Sequence, residues 1–135
     1  MKTEVAYGIP TIFSAIGTLI TFWLGGWDML IQILVFFVVL DYATGVLSGI
    51  KNKNLSSDVM YWGGIRKGIT LVVIMIAVMF DTMLNNNEPV FRTIALYFYI
   101  GREGLSIIEN MGKLGVPLPA FIKSTINQIA KRGGK

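Results

Sequence analysis

The sequence predicts an all-α integral membrane protein, with four transmembrane helices and a short C-terminal amphipathic helix, and three observations predict it. Hydrophobic residues fill 53% of the 135 positions and charged ones 15%, with a mean hydropathy of +0.62; soluble domains run nearer 45–50% and about 25%. The apolar residues gather in stretches of about 20, the length that crosses a ~30 Å hydrocarbon core at 1.5 Å per residue. Lysines and arginines fall on alternate connections, as positive-inside topology requires. The length fits one domain, taken as 1–135. Without Cys or His the chain has no disulfide, thiolate, imidazole base or zinc site. No catalytic set, metal site or cofactor is therefore expected. The net charge of +4, in so apolar a chain, reads as cytoplasmic loops facing anionic lipid rather than as a nucleic-acid surface.

The first span is placed at 9–27, with Pro10 at the first helical turn, where a missing N–H is harmless. Ser14, Gly17, Thr18, Thr21 and Gly25 recur on one side as a small-residue stripe that lets another helix approach. Glu4 breaks a basic leader and no A-x-A site follows, so no cleavage is expected.

The second span, 29–50, is the most apolar and contains Asp41. A charge at the bilayer centre costs at least ~2.5–3.5 kcal/mol, so such residues face protein, water or a countercharge. Asp41, Gly45, Ser48 and Gly49 share one helix face, which places the carboxylate beside a GxxxG pair. That face is expected to pack against protein. The connection from Lys51 to Lys67 carries four basic residues and Asp58, with Tyr61 and Trp62 as interfacial aromatics, and is assigned to the cytoplasm. The third span, 66–84, places Asp81 about one turn from its far end.

Residues 90–112 are the least apolar span. Arg92, Tyr99, Arg102, Glu103, Ser106, Glu109, Asn110 and Lys113 follow spacings of three, four and seven, which reads as one polar stripe. Such a helix needs partners, water or an interfacial position. If it crosses, Lys2, Lys113, Lys123, Lys131, Arg132 and Lys135 lie inside with both termini, and the outer turns lack Lys and Arg. Three spans are the alternative. Depth from the outer face matches Asp81 with Arg92 and, at ~18–20 Å, Asp41 with Arg102. Two ion pairs are expected on that basis, with protonated or water-solvated aspartates as the competing reading. At 118–132, Leu118, Phe121, Ile122, Ile126 and Ile129 form one apolar side opposite Lys123, Asn127, Lys131 and Arg132. A helix this short and basic is expected on the inner leaflet.

Several stretches together resemble the toxin-secretion and phage-lysis holin family of small bacterial phage and prophage membrane proteins. They are LDYATGVLSGI at 40–50, LSS at 55–57, GGIRKG at 63–68, YIGREGLSIIEN at 99–110 and LGVPLP at 114–119. The resemblance implies timed permeabilisation of the bacterial cytoplasmic membrane by a homo-oligomer, releasing an endolysin or exporting a toxin, with an antiholin as a further partner. It also implies three spans, one fewer than the charge distribution gives. Positions matching the family pattern are Asp41, Thr44, Gly45, Lys67, Glu103, Ser106, Glu109, Asn110, Pro117 and Pro119. With Gly49, Asp81, Arg92 and Arg102, the intramembrane polar and helix-contact positions among these are the candidate functional residues. Two other classes use the same helices: a four-span channel or transporter coupled through Asp41 or Glu103, and a hole-less adaptor or antiholin.

Overall fold

The computed structural model describes residues 2–134, with side chains from Gly8 onward; Lys2 and Lys135, both assigned above to the cytoplasm, fall outside the described side chains. The described residues form helices and turns: α1 Lys2–Trp23, α2 Met29–Lys51, α3 Ser57–Met83, α4 Val90–Leu114 and α5 Ala120–Arg132. α2 and α3 are long and apolar enough to cross a membrane. The apolar part of α1, Gly8–Trp23, is shorter, and α4 is too polar to qualify by composition.

Local chemistry sets the helix ends. Asp28 caps α2, its carboxylate accepting the Ile31 N–H at 3.1 Å. At the other end the Asn52 amide donates to the Ser48 carbonyl at 3.0 Å. Ser56 caps α3 by accepting the Val59 N–H at 3.2 Å, and Asp58 complements the helix dipole in its first turn. This cap starts α3 nine residues before the expected 66, so most of the basic 51–67 connection is helix. α1 likewise begins early, with Pro10 inside it rather than at its first turn. α4 ends where Gly115 takes a left-handed conformation, φ 75°, which a side chain would strain. Pro117 and Pro119 then reverse the chain.

α4 is the central element, packed against α2, α3 and α5. Leu24, Ile31, Leu34, Ile74, Leu96 and Ile100 form the dry core where α2, α3 and α4 meet. α1 stands apart, with Gly8–Ile20 exposed and open space around Gly17. Of its small-residue stripe, Ser14, Gly17 and Thr18 are exposed, and Gly25, in the turn that follows, lies against Arg92 of α4 and Val78 of α3. Close helix approach occurs instead at Gly101 and Gly104. A Cβ on Gly101 would lie 2.5 Å from the Ala130 Cα, and one on Gly104 2.8 Å from the Ile126 side chain. α5 thus folds back antiparallel along α4, burying Ile126 and Ala130, rather than lying apart on a membrane surface. The two glycines remove the side chains that would hold it off.

Candidate functional site

Two polar centres are built into this bundle. The first lies mid-helix, where α2 brings Asp41, α3 brings Lys67 and α4 brings Glu103 and Asn110. The Lys67 ammonium donates to Asp41 Oδ2 and to Glu103 Oε2, each at 2.5 Å. The Asn110 amide donates to Asp41 Oδ1 at 2.8 Å, to the Asp41 carbonyl at 3.2 Å and to Thr44 Oγ1 at 3.0 Å. Thr44 in turn donates to the Leu40 carbonyl at 2.9 Å. Asp41, Thr44, Glu103 and Asn110 are buried and Lys67 is nearly so. Taking such groups out of water costs several kcal/mol per ion, and only mutual attraction with complete hydrogen bonding offsets it. One cation here serves two carboxylates.

The second centre joins the turn ends. Arg92, 4% exposed, threads past Gly25 and grips the α1–α2 turn. Its guanidinium donates to the Leu24 carbonyl at 2.7 Å and the Gly26 carbonyl at 3.3 Å, and forks onto Asp28 at 2.7 and 3.1 Å. Gly25, at φ 77°, leaves the room: a Cβ there would lie 2.8 Å from Arg92 Nε. The Arg92 hydrogen bond, foremost, holds the Asp28 carboxyl below the usual carboxylate range. Asp81 accepts the backbone N–H groups of Phe91 and Arg92 at 3.0 and 2.8 Å and the Asn86 amide at 2.8 Å. Because Pro89 supplies no capping side chain, Asp81 acts as the N-cap of α4 from the end of α3.

Both expected ion pairs are therefore replaced. Asp41 pairs with Lys67, while Arg102 is exposed. Asp81 meets Arg92 through the backbone, and the Arg92 side chain takes Asp28. The reason lies in helix geometry. At 100° per residue, Arg92, Tyr99, Glu103, Ser106 and Asn110 share one face, whereas Arg102, Glu109 and Lys113 lie about 60–100° to one side of it. The expected single stripe is two, the first facing inward and the second outward. Glu109 accordingly pairs on the surface with Lys113 at 3.0 Å.

Of the other sequence-selected positions, Gly45 lies against Asn110, and Ser106 lines clefts on either side of the mid-helix centre. Gly49 packs on Leu55 of the following turn rather than on another helix. Asp28, Leu24, Gly101 and Gly104 escaped the sequence reading. Asp28 carried a signal, an acidic residue directly before an apolar run, and Gly101 and Gly104 carried theirs as small residues one turn apart. Among the described residues no group of three or more His, Cys, Asp or Glu side chains could hold a metal ion.

Residues 18–131 match the pattern of the bacteriophage holin family. An uncharacterized protein of Clostridium perfringens strain 13 is 47% identical over 114 residues, covering 84% of each chain. A second Clostridium perfringens protein, an uncharacterized 14.9 kDa protein from the nagH 3′ region, is 45% identical, covering 85% of this chain and 87% of its own. A probable holin of Bacillus phage phi105 is 37% identical over 92 residues, 67% of each chain. No solved structure matches.

Proposed function

This chain belongs to the bacteriophage holin family, a non-enzymatic membrane protein family, and from that membership we propose that it is a holin. It accumulates in the bacterial cytoplasmic membrane, assembles with copies of itself and opens holes through which an endolysin reaches the cell wall or a toxin leaves.

The observation that carries this reading is the second, outward stripe. Arg102, Glu109 and Lys113 on α4, continued by Lys123, Asn127 and Lys131 on α5, are exposed on a bundle whose other surfaces are largely apolar. Acyl chains do not solvate such a face. Neighbouring copies cover its Glu109, Lys113 and α5 part in the closed assembly, and water hydrates it when the assembly opens. The buried Asp41–Lys67–Glu103 centre opposes opening because α2, α3 and α4 separate only by parting its charges. Moving one charge across the whole membrane field is worth ~2.3 kcal/mol per 100 mV, so partial displacement summed over many copies makes opening voltage-sensitive.

In this proposal α1 to α4 all cross the membrane, with the N-terminus cytoplasmic throughout and the C-terminus cytoplasmic once α5 has left α4. With α5 folded back, Gly133 packs against Phe98, eight residues into α4. The basic C-terminus therefore reaches the cytoplasmic surface only when α5 leaves α4, which makes the α4–α5 hairpin the moving part.

Induced expression with and without a cytoplasmic endolysin tests the reading. A holin gives abrupt loss of membrane potential and, with the enzyme present, its release and lysis. Solute leakage without enzyme release would point to a channel or transporter, and neither effect to an antiholin or adaptor.

A further inference from the structure

A second feature lies on the α3–α4 side of the mid-helix centre. A cleft of about 420 Å³ opens there, lined by Arg66, Lys67 and Thr70 of α3 and Tyr99, Arg102 and Glu103 of α4, with Asp41 at its base. Arg66 and Arg102 are exposed and have no ion-pair partner among the described residues. The charge around the cleft does not balance. Three cations face two carboxylates, Lys67 being held between Asp41 and Glu103, which leaves one positive charge. One phosphodiester would neutralise it.

The same groove continues along the helices as an apolar cleft of about 320 Å³ between Val73, Ile76 and Phe80 of α3 and Phe91, Ile94 and Phe98 of α4. Tyr99 borders both parts. From Arg66 to Phe80 the groove runs about 21 Å at 1.5 Å per residue, more than the ~15 Å depth of one leaflet's hydrocarbon. A basic, hydroxyl-lined end joined to an apolar trough of acyl-chain length fits an amphiphile. Free phosphate would use only the first part, and a neutral lipid only the second.

We propose that the α3–α4 groove binds one anionic phospholipid, its phosphate between Arg66 and Arg102 and one acyl chain along Val73 to Phe80. Guanidinium groups suit this task because they fork onto phosphate oxygens and lose hydration readily. A bound lipid ties α3 to α4 beside Gly133, which borders the apolar part at the end of α5, so membrane composition bears on how readily they part. The inference rests on the membrane location of α2 and α3 and not on hole formation. Loss of lytic activity with lipid preference intact would count against the holin reading alone.

The test uses the purified full chain in detergent, with native mass spectrometry counting retained lipid after addition of phosphatidylglycerol or phosphatidylcholine. The expected result is retention of one phosphatidylglycerol per chain at an affinity about tenfold above phosphatidylcholine, a ratio equivalent to ~1.4 kcal/mol. The Arg66→Gln, Arg102→Gln double variant should abolish the preference, and the corresponding double Lys variant should keep part of it. Ile76→Trp, which fills the trough, should weaken phosphatidylglycerol retention with both arginines present, and millimolar inorganic phosphate should not displace the lipid. Circular dichroism checks that each variant remains helical. Equal retention of the two lipids by the unaltered chain overturns the proposal, as does an undiminished preference in the glutamine variant. Displacement by phosphate together with an inert Ile76→Trp would show a simple anion pocket and overturn it too.

Discussion

The two polar centres use nearly the same materials for different ends. Each has two carboxylates and one long cationic side chain, and each ties α4 to its neighbours. At the turn centre, however, the ligands are largely backbone: Arg92 holds two carbonyls, and Asp81 holds two N–H groups at a helix start. Backbone partners keep their place as long as the turns do. At the mid-helix centre the key partners are side chains from three separate helices, and clefts of about 210 and 420 Å³ lie beside them. Such a centre comes apart when the helices shift. The difference teaches that the turn centre fixes the hairpin ends, whereas the mid-helix centre depends on how α2, α3 and α4 are packed.

The most severe way to break that contrast is Lys67→Met. It leaves Asp41 and Glu103 buried without their shared cation, a loss expected to cost about 3–5 kcal/mol. Unfolding in detergent followed by circular dichroism measures it, with Lys67→Arg recovering part of the loss. A change under about 1 kcal/mol would show that the triad does not hold α2, α3 and α4 together. Arg92→Met should cost less, about 1.5–3 kcal/mol, the range for hydrogen bonds involving a charged group. Asp28 is half-exposed and regains water when abandoned, and only the carbonyls it shared are left short. If Arg92→Met proves the costlier of the two, the ranking of the centres is reversed. Smaller again is Asp81→Ala, at about 1 kcal/mol for a lost N-cap. Its signature is local: hydrogen exchange should quicken at the Phe91 and Arg92 amides and stay unchanged around Glu103.

The sequence made the helices readable because apolar run length acts locally, whereas the caps Asp28 and Ser56 went unread and α3 was started nine residues late. It identified most members of both centres, since a charge inside an apolar run is conspicuous wherever it points. What it did not give was pairing. Depth counting matched Asp41 with Arg102, and one residue along a helix changes height by 1.5 Å but direction by 100°. Lys67 was assigned to the cytoplasmic connection because the early start of α3 was not read, and the direction of Arg102 was not legible, so Arg102 was matched where Lys67 stands. The docking of α5 was hidden for a related reason. It depends on what Gly101 and Gly104 lack, and glycine is common in membrane helices for many reasons.

The smallest effect sharpens the comparison by pH. In the folded chain the Arg92 hydrogen bond lowers the Asp28 carboxyl from its ordinary value of 3.8. A group whose folded value is depressed contributes stability that is present above the unfolded value and lost as pH falls through the folded one. The Asp28–Arg92 pair should therefore contribute fully at pH 7 and fade below about pH 4. The half-exposed carboxylate limits the contribution to the ~0–1 kcal/mol typical of exposed pairs. Other carboxylates titrate in the same window, so the informative quantity is the stability difference between the unaltered chain and Asp28→Asn. Asparagine retains an oxygen that can cap α2 through the Ile31 N–H, so the variant removes charge while preserving the helix start. The gap should be open at pH 7 and narrow progressively as the pH falls below about 4. A gap that stays constant across that range would mean that Arg92 holds the turn through the Leu24 and Gly26 carbonyls alone. The turn centre would then be a backbone clasp with no electrostatic component, still further from the mid-helix centre, where every partner of Lys67 is a charge.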